Sequence, residues 1–444
     1  MIEQIFELLQ HKRFAAIREI LNEANEVDIA ALFEELPEED ALRIFRLLPK
    51  ETAADVFSYM SNDVQQNIVE AITDQELSGI IDELFLDDTV DLIEEMPATV
   101  VKKVLANTDA KKRALINRFL QYKEDSAGSI MTIEFVDLKK EMTVGQAFDY
   151  IRRTGVDKET IYTCYVTNKS RTLEGVVTVK DLLLSGDDEI IESIMDTNII
   201  YVSTDDDKED VARIFNKYDL LSLPVVDKEK RLVGIVTIDD AIDVLQDENT
   251  EDFEKMAAII PSDEPYLKTT PFEHAKHRLP WLLLLMISAT FTGAIISSFE
   301  EAFTVIPALV AFIPMLMDTG GNCGSQTSTL TIRGMSLGQI EGRDVLKVWW
   351  QEISVAIMTG AVLAVVNIAR IYFLNGHDIK LSLTVSLSLY ATVIIAQSVG
   401  CLLPIGAKKI GLDPAVTASP LITTLVDACA LFIYFAMAKV ILGL

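Results

Sequence analysis

The first part of the chain repeats a pattern of apolar positions every twelve residues. The repeating position is filled by Leu36, Leu48, Met60, Ile72, Leu84 and Met96. Two more apolar residues follow each of these at fixed offsets of eight and nine, as Ile44 and Phe45 do in the first unit. Two apolar columns in every unit predict short helices that stack into a solenoid. Residues 1–128 are therefore predicted to form an all-α superhelical N-domain.

A second repeat follows, with a different period. The stretch Gly175-Val-Val-Thr-Val-Lys-Asp181 returns 59 residues later as Gly234-Ile-Val-Thr-Ile-Asp-Asp240. A strand-like apolar run and a helical stretch precede each copy, which predicts two similar α/β domains at residues 129–191 and 192–245. Ser-Ile-Met sequences, at Ser129 and Ser193, are predicted to open the two units.

The last part of the chain is dominated by long apolar runs without charges. They lie at Trp281–Phe299, Ala302–Met317, Ile353–Ala369, Leu381–Ala407 and Ala415–Ala438. Four of these runs are long enough to cross a bilayer as helices, and the second is short and contains Pro307 and Pro314. The pattern predicts an α-helical five-span membrane domain at 271–444, joined to the α/β domains by an acidic connecting helix and linker at 246–270.

Charge divides the chain in the same way. The formal net charge is −29, yet ten acidic and ten basic residues balance from Pro271 onward, so the whole excess lies in residues 1–270. An excess this large attracts cations and repels the phosphates of nucleic acid, so the sequence predicts no nucleic-acid partner. Basic residues lie in the loops after the second and fourth spans, which places the N-terminus in the cytosol and the C-terminus outside a cell membrane.

The connecting segment accumulates acids at helical spacing. Asp239, Asp243 and Asp247 fall at i, i+4 and i+8, where like charges destabilise a helix by a few tenths of a kcal/mol per pair. Lys255 is the single basic residue between Arg231 and Lys268. A solvated acidic face and a set of cation ligands both remain open on this pattern.

A single carboxylate, Asp427, interrupts the last apolar run. A charge at bilayer depth costs roughly 2.5–3.5 kcal/mol on insertion scales, which makes it a candidate for function. Thr423 and Ser419 precede it by four and eight residues and share its helix face. Such an oxygen-lined stripe suits a hard cation like Mg²⁺, which keeps much of its water shell. The alternative is a buried acid paired with a basic residue of another helix.

Small and polar residues fill the stretch that follows the short second run. Asn322 and Gln326 stand among the glycines of Asp318-Thr-Gly-Gly-Asn-Cys-Gly-Ser-Gln326. Glycines allow helices to approach closely, and the amides suit a wet path through the membrane. Tight helix packing alone would explain the glycines but not the two amides.

The 59-residue repeat resembles a pair of CBS domains. In that family the threonine and aspartate of the Gly-x-x-Thr-x-x-Asp turn hold the ribose of an adenine nucleotide. The resemblance implies ATP as a ligand of the repeat at Thr178, Asp181, Thr237 and Asp240, and many CBS pairs bind no nucleotide.

The membrane motifs resemble those of the MgtE magnesium channels. These motifs are Gly320-Gly-Asn-x-Gly-x-Gln326 with Arg333-Gly, Asp413-Pro-Ala, and Leu425-Val-Asp427. The order of acidic N-domain, CBS pair, connecting helix and five spans matches as well. The resemblance implies a homodimer in membrane lipid, with a Mg²⁺ pore on the dimer axis. Its pore residues would be Asp427, Thr423, Ser419, Asn322 and Gln326.

The same resemblance implies that cytosolic Mg²⁺ gates the pore shut. The implied sensor acids are Asp87, Asp91, Asp207, Glu209, Asp219, Asp240, Asp243, Glu248, Glu251, Asp252 and Asp413. Asp413 would pair with the connecting helix through an ion. Asp240 then has two candidate roles, as a ribose contact and as a metal ligand.

The sequence thus predicts a gated Mg²⁺ channel that mediates influx. A secondary divalent-cation exchanger on the same fold is one alternative, and a membrane-anchored nucleotide sensor is another. No nucleophile–base pair or zinc signature indicates an enzyme. Asp318 departs from the family pattern, which has a small or neutral residue there, and we expect this acid to affect selectivity if it faces the pore.

Overall fold

The structure is a computed structural model that describes residues 1–262, 266–374, 378–417 and 419–443, with backbone alone for 301–303, 374 and 419. The described chain divides into two compact units, Met1–Leu245 and Gln246–Leu444. Each is described by itself below.

Ten short helices form the start of the first unit. They are α1 Ile2–Gln10, α2 Phe14–Glu23, α3 Glu26–Glu35, α4 Glu38–Phe45, α5 Lys50–Ser58, α6 Asn62–Ala71, α7 Asp74–Glu83, α8 Leu86–Glu95, α9 Ala98–Asn107 and α10 Ala110–Phe119. From α3 onward each helix begins twelve residues after the one before it. Ile44 and Phe45 are buried, as are their counterparts in later repeats except Leu105, which is partly buried. The predicted helical solenoid is confirmed, because both apolar columns face its core.

Two small α/β modules complete the first unit. The first contains β1 Asp137–Leu138, α11 Val144–Thr154, β2 Thr163–Thr167, β3 Leu173–Thr178 and α12 Val179–Leu184. Helix α13 Ile191–Ile194 follows and packs in the core of the first module, and the second module contains β4 Val202–Ser203, α14 Lys208–Tyr218, β5 Ser222–Val226, β6 Leu232–Thr237 and the start of α15 Ile238–Met256. Each sheet has one parallel and one antiparallel strand pair, and β2–β3 and β5–β6 have matching registers.

The two Ser-Ile-Met segments exchange places between the modules. Thr132 forms a bridge with Ile235 of the second sheet, and Asp196 forms one with Val176 of the first. The methionines fill the space above the repeat glycines: a Cβ on Gly234 would lie 2.7 Å from the sulfur of Met131. Each module is therefore completed by the segment predicted to open the other.

The second unit contains the membrane helices. They are α16 Pro271–Ser298, α17 Glu300–Val305, α18 Ile313–Ser336, α19 Val345–Leu374, α20 Ile379–Lys409 and α21 Ser419–Leu442. Within the described residues, four helical segments are long and apolar enough to cross a membrane: Pro271–Ser298, Gly342–Phe373, Ile379–Lys409 and Ala415–Leu442.

The second predicted span is not one continuous helix in the structure. The apolar run 302–317 is divided among α17, a 3₁₀ turn at Pro307–Phe312 and the first turn of α18. Proline is accepted in the first turn of a helix, and Pro314 is the second residue of α18. The stretch from Asp318 to Arg333 is regular helix. Because the hydropathy of this stretch is low, the sequence pattern did not predict the long helix α18.

Candidate ion pathway and acidic cluster

Asp427 lies in the first half of α21 with its side chain half-buried. Within the described residues no lysine, arginine or histidine forms an ion pair with it, so a basic partner on another described helix does not explain this acid. Thr423 lies one turn earlier, also half-buried, and its hydroxyl donates to the carbonyl of Pro420 at 2.9 Å. Ser419 begins the helix, and its side chain is outside the described residues.

A polar stripe runs along the exposed face of α18. Asp318, Asn322 and Gln326 follow one another at i, i+4 and i+8, and all three are exposed in the single chain. Three polar side chains on one face of a helix at membrane depth are costly against lipid. This face therefore requires water or another protein surface as its neighbour.

Glycines fix the register between α18 and α21. A Cβ added to Gly324 would lie 2.8 Å from Cγ2 of Ile422, and one added to Gly321 would lie 3.1 Å from Cγ2 of Thr423. One added to Gly320 would lie 2.9 Å from Cγ1 of Val426. Residue numbers fall along α18 as they rise along α21, so the two helices are antiparallel.

This register extends to the two acids. The next step toward the start of α18 brings Asp318 to the level of Asp427, and Asp318 is close enough to act electrostatically on it. The polar stripe of α18 and the Thr423–Asp427 face of α21 therefore meet along one line.

The opposite face of α18 carries a feature that the sequence did not single out. The buried hydroxyl of Thr327 donates to Oε2 of Glu352 on α19 at 2.9 Å. This hydrogen bond ties α19 to the glycine-rich helix α18. No periodicity indicates this pair, because Thr327 is one of several threonines on α18.

The first unit holds a separate cluster of carboxylates. Asp87, Asp88 and Asp91 lie on α8, and their charges act on those of Glu134, Glu159, Asp239 and Asp240 from the α/β modules. We call these seven residues the acidic cluster. The sequence named Asp87, Asp91 and Asp240 as sensor candidates. It missed Glu134 and Glu159, because neither belongs to a periodic acidic pattern.

Burial and mutual repulsion shift the titration of the cluster. Burial, with repulsion from Asp88 and Asp240, holds the pKa of Asp87 well above its usual range. Burial, together with neighbouring acids, raises the pKa of Asp88 to about 6, although Lys112 opposes the rise. The same causes raise the pKa of Glu159 to about 8.

Two further members of the cluster behave alike. Burial is the main cause that raises the pKa of Asp240 to about 7, against a hydrogen bond from Thr237. Burial is also the main cause that raises the pKa of Asp91 to about 7, with added repulsion from Asp240 and Asp88, although part of its side chain stays exposed. In the described residues, no three carboxylate, histidine or cysteine side chains are already arranged as a metal cage. The acids are close neighbours without forming a finished site.

The structure does not add Asp207, Glu209 and Asp219 to this cluster. Asp207 caps α14 by accepting from the amide of Glu209 at 2.9 Å, and Glu209 forms an ion pair with Arg213. Asp219 ends the same helix in the left-handed conformation, with φ of 52°. Of the other candidates, Asp243, Glu248, Glu251 and Asp252 lie on α15.

In each of the two predicted nucleotide-binding turns, the threonine is hydrogen-bonded to the aspartate of the same turn. Thr178 donates to Oδ2 of Asp181 and accepts from its amide, which forms the N-terminal cap of α12. Thr237 donates to Asp240 in the corresponding place. Both pairs therefore serve helix capping in this structure, and a ribose would have to replace one of these bonds.

Asp413 contacts α15 directly. The predicted link between Asp413 and the connecting helix was an ion, whereas in the structure the Nζ of Lys255 lies 2.7 Å from Oδ2 of Asp413 and 2.6 Å from Oε1 of Glu251. The lysine ammonium stands between two predicted sensor acids.

Three family models together match most of the chain. The MgtE intracellular N domain matches residues 24–125, the CBS domain matches 127–186 and 191–247, and the divalent cation transporter model matches 313–437. The magnesium transporter MgtE of Thermus thermophilus is 37% identical over 361 residues, which is 80% of each chain. The chain belongs to the MgtE family of magnesium transporters.

Other MgtE proteins show the same extent of similarity. The Bacillus subtilis magnesium transporter MgtE is 36% identical over 79% of this chain and 77% of its own length. The Enterococcus faecalis protein of the same name is 33% identical over 73% and 71%. Membership, together with the apolar helices, indicates a multi-pass membrane protein.

Two solved structures resemble the first part of the chain. The cytosolic domain of the Mg²⁺ channel MgtE in complex with ATP covers 55% of this chain and all of its own, with 38% identity and a TM-score of 0.52. The soluble part of a magnesium transporter covers 56% and 97%, with 30% identity and a TM-score of 0.53. The all-helical N-domain and CBS-pair architecture is therefore the one found in MgtE proteins.

Proposed function

We propose that this MgtE protein is a homodimeric channel of the cell membrane that admits Mg²⁺ to the cytosol. The observation that carries the proposal is the line of polar groups from Asp318, Asn322 and Gln326 to Thr423 and Asp427. Its exposed face at membrane depth is explained when a second copy covers it and encloses water. The N-terminus is then cytosolic and the C-terminus lies outside.

Asp427 is the proposed ion-selecting group of the pore. Mg²⁺ gives up the water molecules of its hydration shell reluctantly. One carboxylate per subunit, with nearby hydroxyl and amide groups, therefore suits a hydrated ion. Thr423 and Ser419 would support the ion toward the start of α21, and Asn322 and Gln326 would do so from α18. No step of bond making or breaking belongs to this activity, so we propose no enzymatic reaction.

We further propose that the acidic cluster senses cytosolic Mg²⁺. Carboxylates with raised pKa values repel one another when all are charged. A divalent cation removes that repulsion and holds α8 against the α/β modules, which we take as the closed condition of the pore. The acids of α15, from Asp243 to Asp252, are proposed to extend this control toward the membrane helices.

Protonation of the acidic cluster should stabilise it as Mg²⁺ does, because both relieve repulsion between the carboxylates. The folded cluster binds protons more tightly than separated acids do, so its stability is greatest below about pH 4–5 and falls as pH rises toward 8. Mg²⁺ should restore the lost stability at pH 8, where the most carboxylates are charged.

Thermal unfolding of the purified full-length protein tests this sensor. In chelator, we expect the midpoint to fall between pH 6 and pH 8, by about 2–4 °C for each 1 kcal/mol lost, and Mg²⁺ to reverse the fall. Asp87→Asn should reduce both effects, because it removes one charge from the cluster. Asp28→Asn, an exposed acid of α3, is the matched control. A midpoint that is flat or rises over this interval in wild type would exclude the cluster as a sensor.

ATP is the second ligand that we propose, at the CBS pair. The support is the ATP complex of the related cytosolic domain, together with the two Thr–Asp turns at Thr178–Asp181 and Thr237–Asp240. Asp240 also belongs to the acidic cluster, so nucleotide and Mg²⁺ would meet at this residue.

A further inference from the structure

The C-terminal half of α15 contacts the membrane helices at three places in the second unit. Lys255 bridges Glu251 and Asp413 at 2.6 and 2.7 Å. Nη1 of Arg333, near the end of α18, donates to Oδ1 of Asn249 at 2.9 Å. Met256 packs against an apolar cluster that Ile332, Met335 and Ile405 form. One helix thus touches the ends of α18 and α20 and the segment that leads into α21.

Asp413 connects this contact to α21. Its Oδ2 accepts the lysine ammonium, while its Oδ1 accepts from the amide of Ala415 at 2.8 Å and so holds the turn just before the helix. A pull on Lys255 is therefore transmitted through one carboxylate to the start of α21, the helix that carries Asp427.

Lys255 is well suited to a permanent role between these acids. Partial burial alone would favour loss of its proton, but hydrogen bonds to Asp413 and Glu251 outweigh it and raise its pKa to about 12. Only 22% of the lysine side chain is exposed, so solvent screens its charge less than it would screen a charge at the surface.

We propose that Lys255, Glu251 and Asp413 form a metal-independent clamp that fixes the end of α15 to α21. The clamp rests on the proposed function, because what it transmits is closure of that pore. It differs from the ion-mediated contact expected at Asp413, since a tethered ammonium supplies the positive charge. Lys255 is a positioning residue that acts through Asp413 and touches no permeating ion.

The clamp makes closure depend on metal at the acidic cluster and not at Asp413. The connecting helix would stay joined to the membrane helices in low Mg²⁺, and loosening would occur further toward the N-terminus. Removal of the Lys255 ammonium should uncouple pore closure from Mg²⁺ binding at the acidic cluster, while ion permeation through the pore is retained.

Hydrogen exchange of the full-length protein in lipid nanodiscs tests the clamp without any transport measurement. In chelator, amides from Glu251 to Ala257 should be protected in wild type and exchange about fivefold faster in Lys255→Met, the factor that corresponds to about 1 kcal/mol. Lys255→Arg should keep the protection. Asp413→Asn should lose it, and the double variant Lys255→Met with Asp413→Asn should be no worse than either alone. Lys409→Met, an exposed lysine at the end of α20, is the matched control.

Protection in wild type that appears only after Mg²⁺ is added would overturn the clamp, because an ion would then make the bridge. Exchange in Lys255→Met equal to wild type would overturn it as well. In liposomes, Lys255→Met should keep influx at low Mg²⁺ and lose about fivefold of the suppression by high Mg²⁺. Absence of Mg²⁺ influx in wild type would reject the proposed function, while the exchange results would still decide the clamp.

Discussion

Single side chains carry the chemistry of this protein, and the clearest case is the pair Asp318 and Asp427. Each lies on a different helix of the glycine-fixed α18–α21 pair, and Asp318 adds a negative charge beside the proposed ion-selecting group. Two unit charges at about 4 Å interact by about 1 kcal/mol in water and more inside a protein. A second carboxylate should therefore attract divalent cations more strongly and discriminate less among them.

Replacing this second acid should weaken entry of the ion. We expect Asp318→Asn to raise the half-saturating Mg²⁺ concentration for influx by about fivefold, the factor for 1 kcal/mol, and to weaken competition by Ca²⁺ and Mn²⁺. Asp318→Glu should behave like wild type. Glu300→Gln removes an exposed acid at the start of α17 and serves as control. An unchanged half-saturation in Asp318→Asn, with normal influx, would show that this acid does not face the ion.

Residue types and spacing were sufficient to single out Asp427, Thr423, Asn322 and Gln326 from the sequence. Their alignment along one line was not predictable, because it depends on which glycines of α18 meet which residues of α21. The ion pair between Lys255 and Asp413 was not predictable either. A sequence shows that a lone lysine stands in an acidic segment, but Asp413 is 158 residues further along the chain.

At the scale of elements, close helix approach organises the membrane unit. A Cβ on Gly400 of α20 would lie only 2.4 Å from the carbonyl oxygen of Gly324 on α18. Because that neighbour is backbone, it cannot move aside as the end of a side chain could. Gly406 lies on the same helix with no atom within 4 Å of an added Cβ. The two glycines therefore differ in packing while sharing one helix.

This difference gives a matched pair of substitutions. Gly400→Ala should force α18 and α20 apart and destabilise the membrane unit by about 1–3 kcal/mol, the usual cost of overpacking. Gly406→Ala should be neutral or slightly stabilising, since alanine favours helix by up to about 1 kcal/mol. Thermal unfolding in detergent and Mg²⁺ influx would measure both. Equal behaviour of the two variants would contradict the close approach.

The elements themselves were predictable where one period dominates. The twelve-residue repeat from Leu36 to Met96 corresponds to the helix starts from α4 to α9, because apolar columns at fixed offsets leave one way to stack. The helix α18 was not predicted, since it combines glycines, hydroxyls and an acid, and hydropathy alone does not identify such a helix. Exchange of the Ser-Ile-Met segments between modules was also unpredictable, because either sheet offers the same glycine.

At the scale of the molecule, the chain joins an acidic part to an electrically balanced membrane part. The excess of −29 belongs to residues 1–270, where repulsion between acids can be relieved by divalent cations. The membrane part has an exposed polar line that needs a covering surface. Sensing and permeation are thus proposed for different parts of one chain, with α15 as the physical link between them.

The measurement that tests this account most directly is Mg²⁺ influx into proteoliposomes without a Na⁺ or proton gradient. Wild type and Asp427→Asn are compared with low and high Mg²⁺ on the side of the acidic N-domain. The account predicts influx in wild type that high Mg²⁺ suppresses, and loss of influx in Asp427→Asn with the variant folded. Influx that requires a second ion gradient would favour an exchanger. Undiminished influx in Asp427→Asn would contradict the pore proposed here.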